Sequence, residues 1–153
     1  MPDFPLSQTR RTLPIALLRA REAVMERFRP MLRAIDVTEA QWRVLRVVQE
    51  IPGIEPTRLA EQAVILAPSL TRILKTLESR GLVTVERAAE DRRRTQVRLA
   101  PGGDRLLREA SRESAAIYAA IERELGAEDL AALIDKLDML LTRLNGPGDA
   151  ADG

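Results

Sequence analysis

The chain of 153 residues contains neither cysteine nor histidine. Those two absences exclude disulfides, thiol nucleophiles, thiol redox sensing, Cys/His zinc sites and imidazole acid–base chemistry. Catalysis would have to rest on carboxylates, Lys, Tyr, Ser or Thr converging in a pocket. The sequence also lacks a Gly-rich phosphate loop, a metal-ligand cluster and a nucleophile motif, so no enzyme, cofactor or metal is expected. Aromatic residues are scarce at 3%, which leaves Leu, Ile, Val and Ala to build the core and points to a mainly helical fold. No apolar run approaches the roughly 20 residues of a bilayer span, and the N-terminus has no secretory pattern. A cytoplasmic protein of about one domain, with no membrane partner, is the expectation.

What is present is charge, unevenly spread. Net charge is only +1, yet residues 67 to 105 hold nine basic residues against five acids, while residues 120 to 153 hold three against eight. A polyanion would meet the middle of the chain and be repelled by its end. An ordinary solvated surface is the alternative.

Apolar positions at Leu13, Leu17, Ala20, Val24, Phe28 and Met31 predict a first helix ending near Asp36, with Pro14 in its first turn and a kink at Pro30. Thr38 and Gln41 form a capping box ahead of a helix through Trp42, Val44, Leu45, Val47, Val48 and Ile51. Pro52-Gly53 stops it, and Pro56 starts a short helix to about Ala63. Pro68 opens the next helix, with Leu70, Ile73, Leu74 and Leu77 on one face and Gly81 as its stop. Alternation at Val83, Val85, Val97 and Leu99 around the charged tip 88–94 predicts a β-hairpin. Pro101 introduces a helix carrying Leu107, Ala110, Ser114, Ile117, Ile121 and Leu125. After Gly126 a last helix carries Leu130, Leu133, Ile134, Leu137, Leu140, Leu141 and Leu144.

This order predicts a mainly α fold with a small β-hairpin: a winged helix-turn-helix at 37–100, flanked by a helical dimerisation region at 1–36 and 101–144, with a disordered tail at 145–153. The leucines of the last helix are spaced nearly as in a coiled coil, which favours a homodimer over a monomeric bundle. On the presumed recognition helix, Ser69, Arg72, Lys75, Thr76 and Ser79 point outward. Arg72 suits a guanine edge, Ser69 and Thr71 suit phosphates or bases, and Lys75 suits a phosphate, making double-stranded DNA the expected partner. At the hairpin tip Arg92, Arg93 and Arg94 stand beside Asp91, an arrangement that suits minor-groove entry or, alternatively, plain solvation.

Leu59-Ala60, Pro68-Ser69-Leu70-Thr71-Arg72-Ile73-Leu74, Leu77-Glu78, Arg80-Gly81-Leu82-Val83 and Asp91-Arg92-Arg93 together resemble the MarR family of transcription regulators, over nearly the whole chain. Ile15 to Leu18, Ala20 to Ala23, Phe28-Arg29-Pro30, Thr38-Glu39, Gln41-Trp42-Arg43 and Ile65-Leu66 resemble its homoprotocatechuate-degradation branch. The resemblance implies a homodimeric repressor of an aromatic catabolic operon, a pseudo-palindromic operator, and release by an aromatic carboxylate. It also implies an Asp91–Arg93 structural pair, with Arg92 and Arg94 left for DNA. Two positions depart from the family pattern: Arg94 follows the wing motif, and Ala100 stands where a Thr cap is frequent.

At 100° per residue, Arg21 falls about 20° from Phe28 and about 40° from Met25, inside the apolar sector of the first helix. A guanidinium there either meets a carboxylate, such as Glu22 or an acid across a dimer, or awaits an anionic ligand. The resemblance places an effector pocket nearby. The candidate grip is therefore Arg21 with Arg43 on a carboxylate, and Trp42, Phe28 or Met25 against the ring, although Trp42 also suits a plain core role. An effector-free DNA-binding or protein-interaction module remains the alternative.

Overall fold

The computed structural model describes residues 8–146. After a single 3-10 turn at Thr9–Arg11 come α1 (Leu13–Ala34), α2 (Glu39–Glu50), α3 (Pro56–Ala63), α4 (Ala67–Ser79), β1 (Val83–Arg87), β2 (Thr95–Leu99), α5 (Pro101–Leu125) and α6 (Ala127–Asn145). The chain divides into two compact units, one ending at Ser114 and the other starting at Ala115.

Local chemistry accounts for most boundaries in the first unit. Thr38 accepts from the Gln41 amide (3.1 Å) and the Gln41 side chain accepts from the Thr38 amide (3.1 Å), so the capping box closes reciprocally. Proline stands in the first turn of α1, α3 and α4, where a missing N–H leaves no helical bond unmade. Pro30, where a kink is expected, lies inside α1, which continues helical to Ala34.

β1 and β2 pair antiparallel in the register Val83↔Leu99 to Arg87↔Thr95. The turn after α2 adds a third rung. Gly53 N–H donates to Val97 O (2.9 Å) and Val97 N–H to Ile54 O (3.0 Å), which ties the hairpin to the helices. Gly53 manages this at a φ of 82°, with the Arg98 guanidinium lying where a side chain would start.

Leucine and valine fill the core as the composition requires. Val44, Leu45 and Val48 of α2, Leu59 of α3, Leu77 of α4 and Val83 and Val97 of the hairpin are essentially inaccessible. Leu107 of α5 joins the same cluster. The start of α5 is close-packed: a Cβ at Gly103 would collide with the Leu82 carbonyl. Ala100, the departure from the family pattern, is buried and donates its N–H to Leu82 O (3.0 Å), and α5 begins at the next residue.

In the second unit Ile121 is buried, whereas Leu125, Leu133, Ile134, Met139, Leu141 and Leu144 stand 40% or more exposed. None of α6 is buried within the single chain. The helix runs through Asn145, one residue into the expected tail, and positions 147–153 of that tail lie outside the described residues. Among the described residues no helix is long and apolar enough to cross a membrane.

Candidate nucleic-acid interface and the arginine cluster of the first helix

Helix α4 buries Leu70, Leu74 and Leu77 and half-buries Ile73 against the core. That choice of face leaves Thr71, Arg72, Lys75, Thr76 and Ser79 exposed and Ser69 half-buried. Thr71 and Thr76 return their hydroxyl protons to the carbonyls of Ala67 and Arg72 (3.2 Å each), which leaves the hydroxyl oxygens able to accept. Among the described residues, the side chains of Arg72 and Lys75 have no hydrogen bond or ion pair.

The three arginines of the wing have three different situations. Arg93 is paired with Asp91: its backbone N–H (3.0 Å) and its Nε (3.1 Å) both donate to Oδ1, and this holds the Asp91 carboxyl below its ordinary value. Arg94 does not project from the tip as an unpaired cation. It is ion-paired with Glu55, the residue before α3, which raises its own pKa. Arg92 alone is exposed without a side-chain partner, while its carbonyl accepts from Arg87 (2.9 Å) and braces the tip.

The expected effector residues are also separated by their environments. Phe28 is 4% exposed, and Met25 and Trp42 are half-buried, Trp42 against the core. Arg21 is not sunk in an apolar sector: its side chain is 48% exposed, because Leu17 and Val24 beside it are uncovered in the single chain. Its Nη2 donates to Glu39 Oε2 (2.8 Å), with Glu22 3.9 Å away. Arg29 takes the other oxygen of Glu39 (2.9 Å) and both oxygens of Glu22 (2.9 and 3.0 Å).

Glu39, the first residue of α2, therefore clamps two arginines of α1, and hydrogen bonds from Arg21 and then Arg29 hold its carboxyl below the ordinary value. Arg43 donates Nε to Ala63 O (2.8 Å) at the end of α3. Burial, and then the nearby charge of Arg21, lower its pKa.

An open cleft of about 780 Å³ lies among the end of α1, the start of α2 and the end of α4, lined in part by Arg29, Glu39, Thr76 and Arg80. None of Arg21, Met25, Phe28, Trp42 or Arg43 lines it. Arg80 donates to the Asp36 carbonyl (2.5 Å) and so fastens the end of α4 to the α1–α2 turn. Glu39, Glu55, Arg29 and Arg80 were not among the site residues expected from the sequence. The acid expected opposite Arg21 was real, but its main identity, 18 residues away, had no local signature.

The MarR family pattern matches residues 37–95, from the turn before α2 to the start of β2. The homoprotocatechuate degradative operon repressor of Escherichia coli is 37% identical over 143 residues, 90% of this chain and 97% of that one. The crystal structure of NadR in complex with 4-hydroxyphenylacetate is 39% identical with a TM-score of 0.77, covering 90% of this chain and 97% of NadR. CouR, a transcriptional repressor bound to a 23-mer DNA duplex, is 29% identical with a TM-score of 0.78, covering 90% and 99%. The winged-helix fold and the identity along nearly the whole length agree, and the chain belongs to the MarR family of transcription regulators.

Proposed function

We propose that the protein is a cytoplasmic, homodimeric repressor of an aromatic-acid catabolic operon, released from a pseudo-palindromic operator by an aromatic carboxylate. The observation that carries the DNA half is the set of unpaired cations, Arg72 and Lys75 on α4 and Arg92 on the wing, in the segment where basic residues outnumber acids. Ser69, Thr71, Arg72, Lys75 and Thr76 meet the major groove, and Arg92 the neighbouring minor groove. Arg93 fixes the wing tip through Asp91, and Arg94 fixes the wing base through Glu55. The uncovered leucines of α1 and α6 support a second copy as partner, since an apolar surface of this kind is costly to leave in water.

The effector half rests on a charge imbalance. Arg21 and Arg29 share two carboxylates, Glu22 and Glu39, while Arg43 is bonded only to the Ala63 carbonyl, and the charges of Arg21 and Arg43 act against each other. An organic anion beside Trp42, Phe28 and Met25 relieves that repulsion, with Arg21 and Arg43 gripping its carboxylate. The aromatic class is supported by the E. coli repressor's operon and by the NadR ligand. Such a ligand acts by binding the DNA-incompetent arrangement better than the competent one. The existing Arg21–Glu39 pair favours a second reading, an effector-independent regulator in which this cluster is purely structural.

A titration of DNA upstream of the protein's own gene at fixed salt, with and without a panel of aromatic carboxylates including homoprotocatechuate and hydroxycinnamates, tests both halves. Tight binding reversed by one acid is the expected result. Tight binding that no acid disturbs favours the second reading, and no specific binding refutes the DNA half.

A further inference from the structure

Two local rules are broken in one turn. Val64, which ends α3, sits at φ 56°, ψ 57°, a left-handed backbone that suits glycine or asparagine and is strained for a β-branched side chain. Leu66, two residues on, is the N-cap of α4, a position where Ser, Thr, Asp or Asn would satisfy an open N–H and leucine satisfies none. The backbone needs the turn itself: Ile65 N–H closes on Ala60 O (2.9 Å) and Leu70 N–H on Leu66 O (3.0 Å). It does not need those two side chains.

Neither side chain gains burial in return. Val64 is 81% and Leu66 79% exposed, the two most exposed large hydrophobic residues described. Residues that weaken their own helix ends and then stand in water point to a contact made only in a complex. Position decides with what. Leu66, Ser69, Arg72 and Thr76 follow one another at three- and four-residue steps, so Leu66 begins the very face that carries the unpaired Arg72. A recognition helix presents the N-terminal end of that face to base edges in the major groove. The apolar group offered there by DNA is the thymine 5-methyl.

We infer that Val64 and Leu66 form an apolar reading site for thymine methyl groups in the major groove, determining part of the operator sequence. The inference rests on the DNA-binding reading above. The full-length protein is first used to select a binding sequence from random duplexes, and the selected duplex is then made with every thymine replaced by deoxyuridine, which removes the methyls and keeps the pairing.

Wild type loses about fourfold in affinity for each methyl it covers. In Leu66→Ser and Val64→Gly the difference between the two duplexes shrinks, while the melting temperature holds or rises, because each substitution suits its backbone position better. Arg72→Ala weakens binding to both duplexes and keeps their ratio. Equal affinity of wild type for the two duplexes, or an unchanged ratio in both turn variants, overturns the inference. Failure of wild type to select any sequence overturns the DNA-binding reading itself.

Discussion

Replacing Arg92 by alanine should flatten the salt dependence of operator binding, and replacing Arg94 should not. Arg92 is exposed and unpaired, whereas Arg94 is held by Glu55. Each phosphate neutralised by a cation contributes about 0.9 to the slope of log affinity against log salt, so the proposed dimer, losing Arg92 twice, loses about 1.8. Between about 50 and 200 mM salt, that difference spares the variant about tenfold of the wild-type fall in affinity.

Arg94→Ala leaves the slope near that of wild type but weakens binding at every salt concentration, because it uncovers the Glu55 carboxylate beside a polyanion. Adding Glu55→Gln to the same chain recovers the loss. Fluorescence anisotropy on one duplex at four salt concentrations reads all of these quantities. A slope reduced in Arg94→Ala as much as in Arg92→Ala, with no recovery from Glu55→Gln, would refute the reasoning. It would mean that Arg94 leaves Glu55 for a phosphate, an exchange that a surface pair worth about 0–1 kcal/mol permits.

Arg72→Ala should cost about 1–3 kcal/mol of operator affinity and relax preference at one base position, and an unchanged preference in a base-substitution panel removes Arg72 from direct readout. Arg21→Ala should abolish release by the effector while operator binding persists, whereas loss of folding in circular dichroism would assign Arg21 a structural role. Thr38→Ala opens the capping box of α2 and should lower stability in urea by about 1 kcal/mol; a change near zero would place the helix start under tertiary control. Because the Glu39 carboxyl lies below its ordinary 4.5, its contribution is complete above that pH and is lost as pH falls through the folded value. Melting curves of wild type and Glu39→Gln should therefore differ by a constant amount at neutral pH and converge in acid, and a gap that does not narrow as the pH falls below 4.5 contradicts the assignment.

The helices and the wing were legible because their causes are local. A capping box spans three residues, a first-turn proline one, and the leucine face of α4 repeats within a single helix. The Asp91–Arg93 pair was expected from the family resemblance rather than from spacing, and the structure contains it. The contacts that organise the candidate site are of another kind. Arg21–Glu39, Arg94–Glu55 and the bond from Arg80 to the Asp36 carbonyl join residues 18, 39 and 44 positions apart, and no periodicity encodes such partners. Arg21 shows the limit most clearly. A helical wheel places it among Leu17 and Val24, but a wheel records which residues share a face and not whether the chain itself covers that face.

Those long-range contacts also decide how an event at α1 could reach DNA. Glu39 holds Arg21 and Arg29 and opens α2 directly after the α1–α2 turn. Arg80, one residue beyond α4, rests on the Asp36 carbonyl of that turn, and Asp36 is itself left-handed at φ 53°. Arg29, Glu39, Thr76 and Arg80 line one cleft, so the arginine cluster and the C-terminal end of α4 meet across a single turn. A carboxylate that drew Arg21 away from Glu39 would leave Arg29 as the remaining ion-pair partner of Glu39, next to the turn on which Arg80 rests. Energetic coupling needs an element with two arrangements, and under the proposed function this turn, tied to α1 and α4 by charged hydrogen bonds, is the candidate for it.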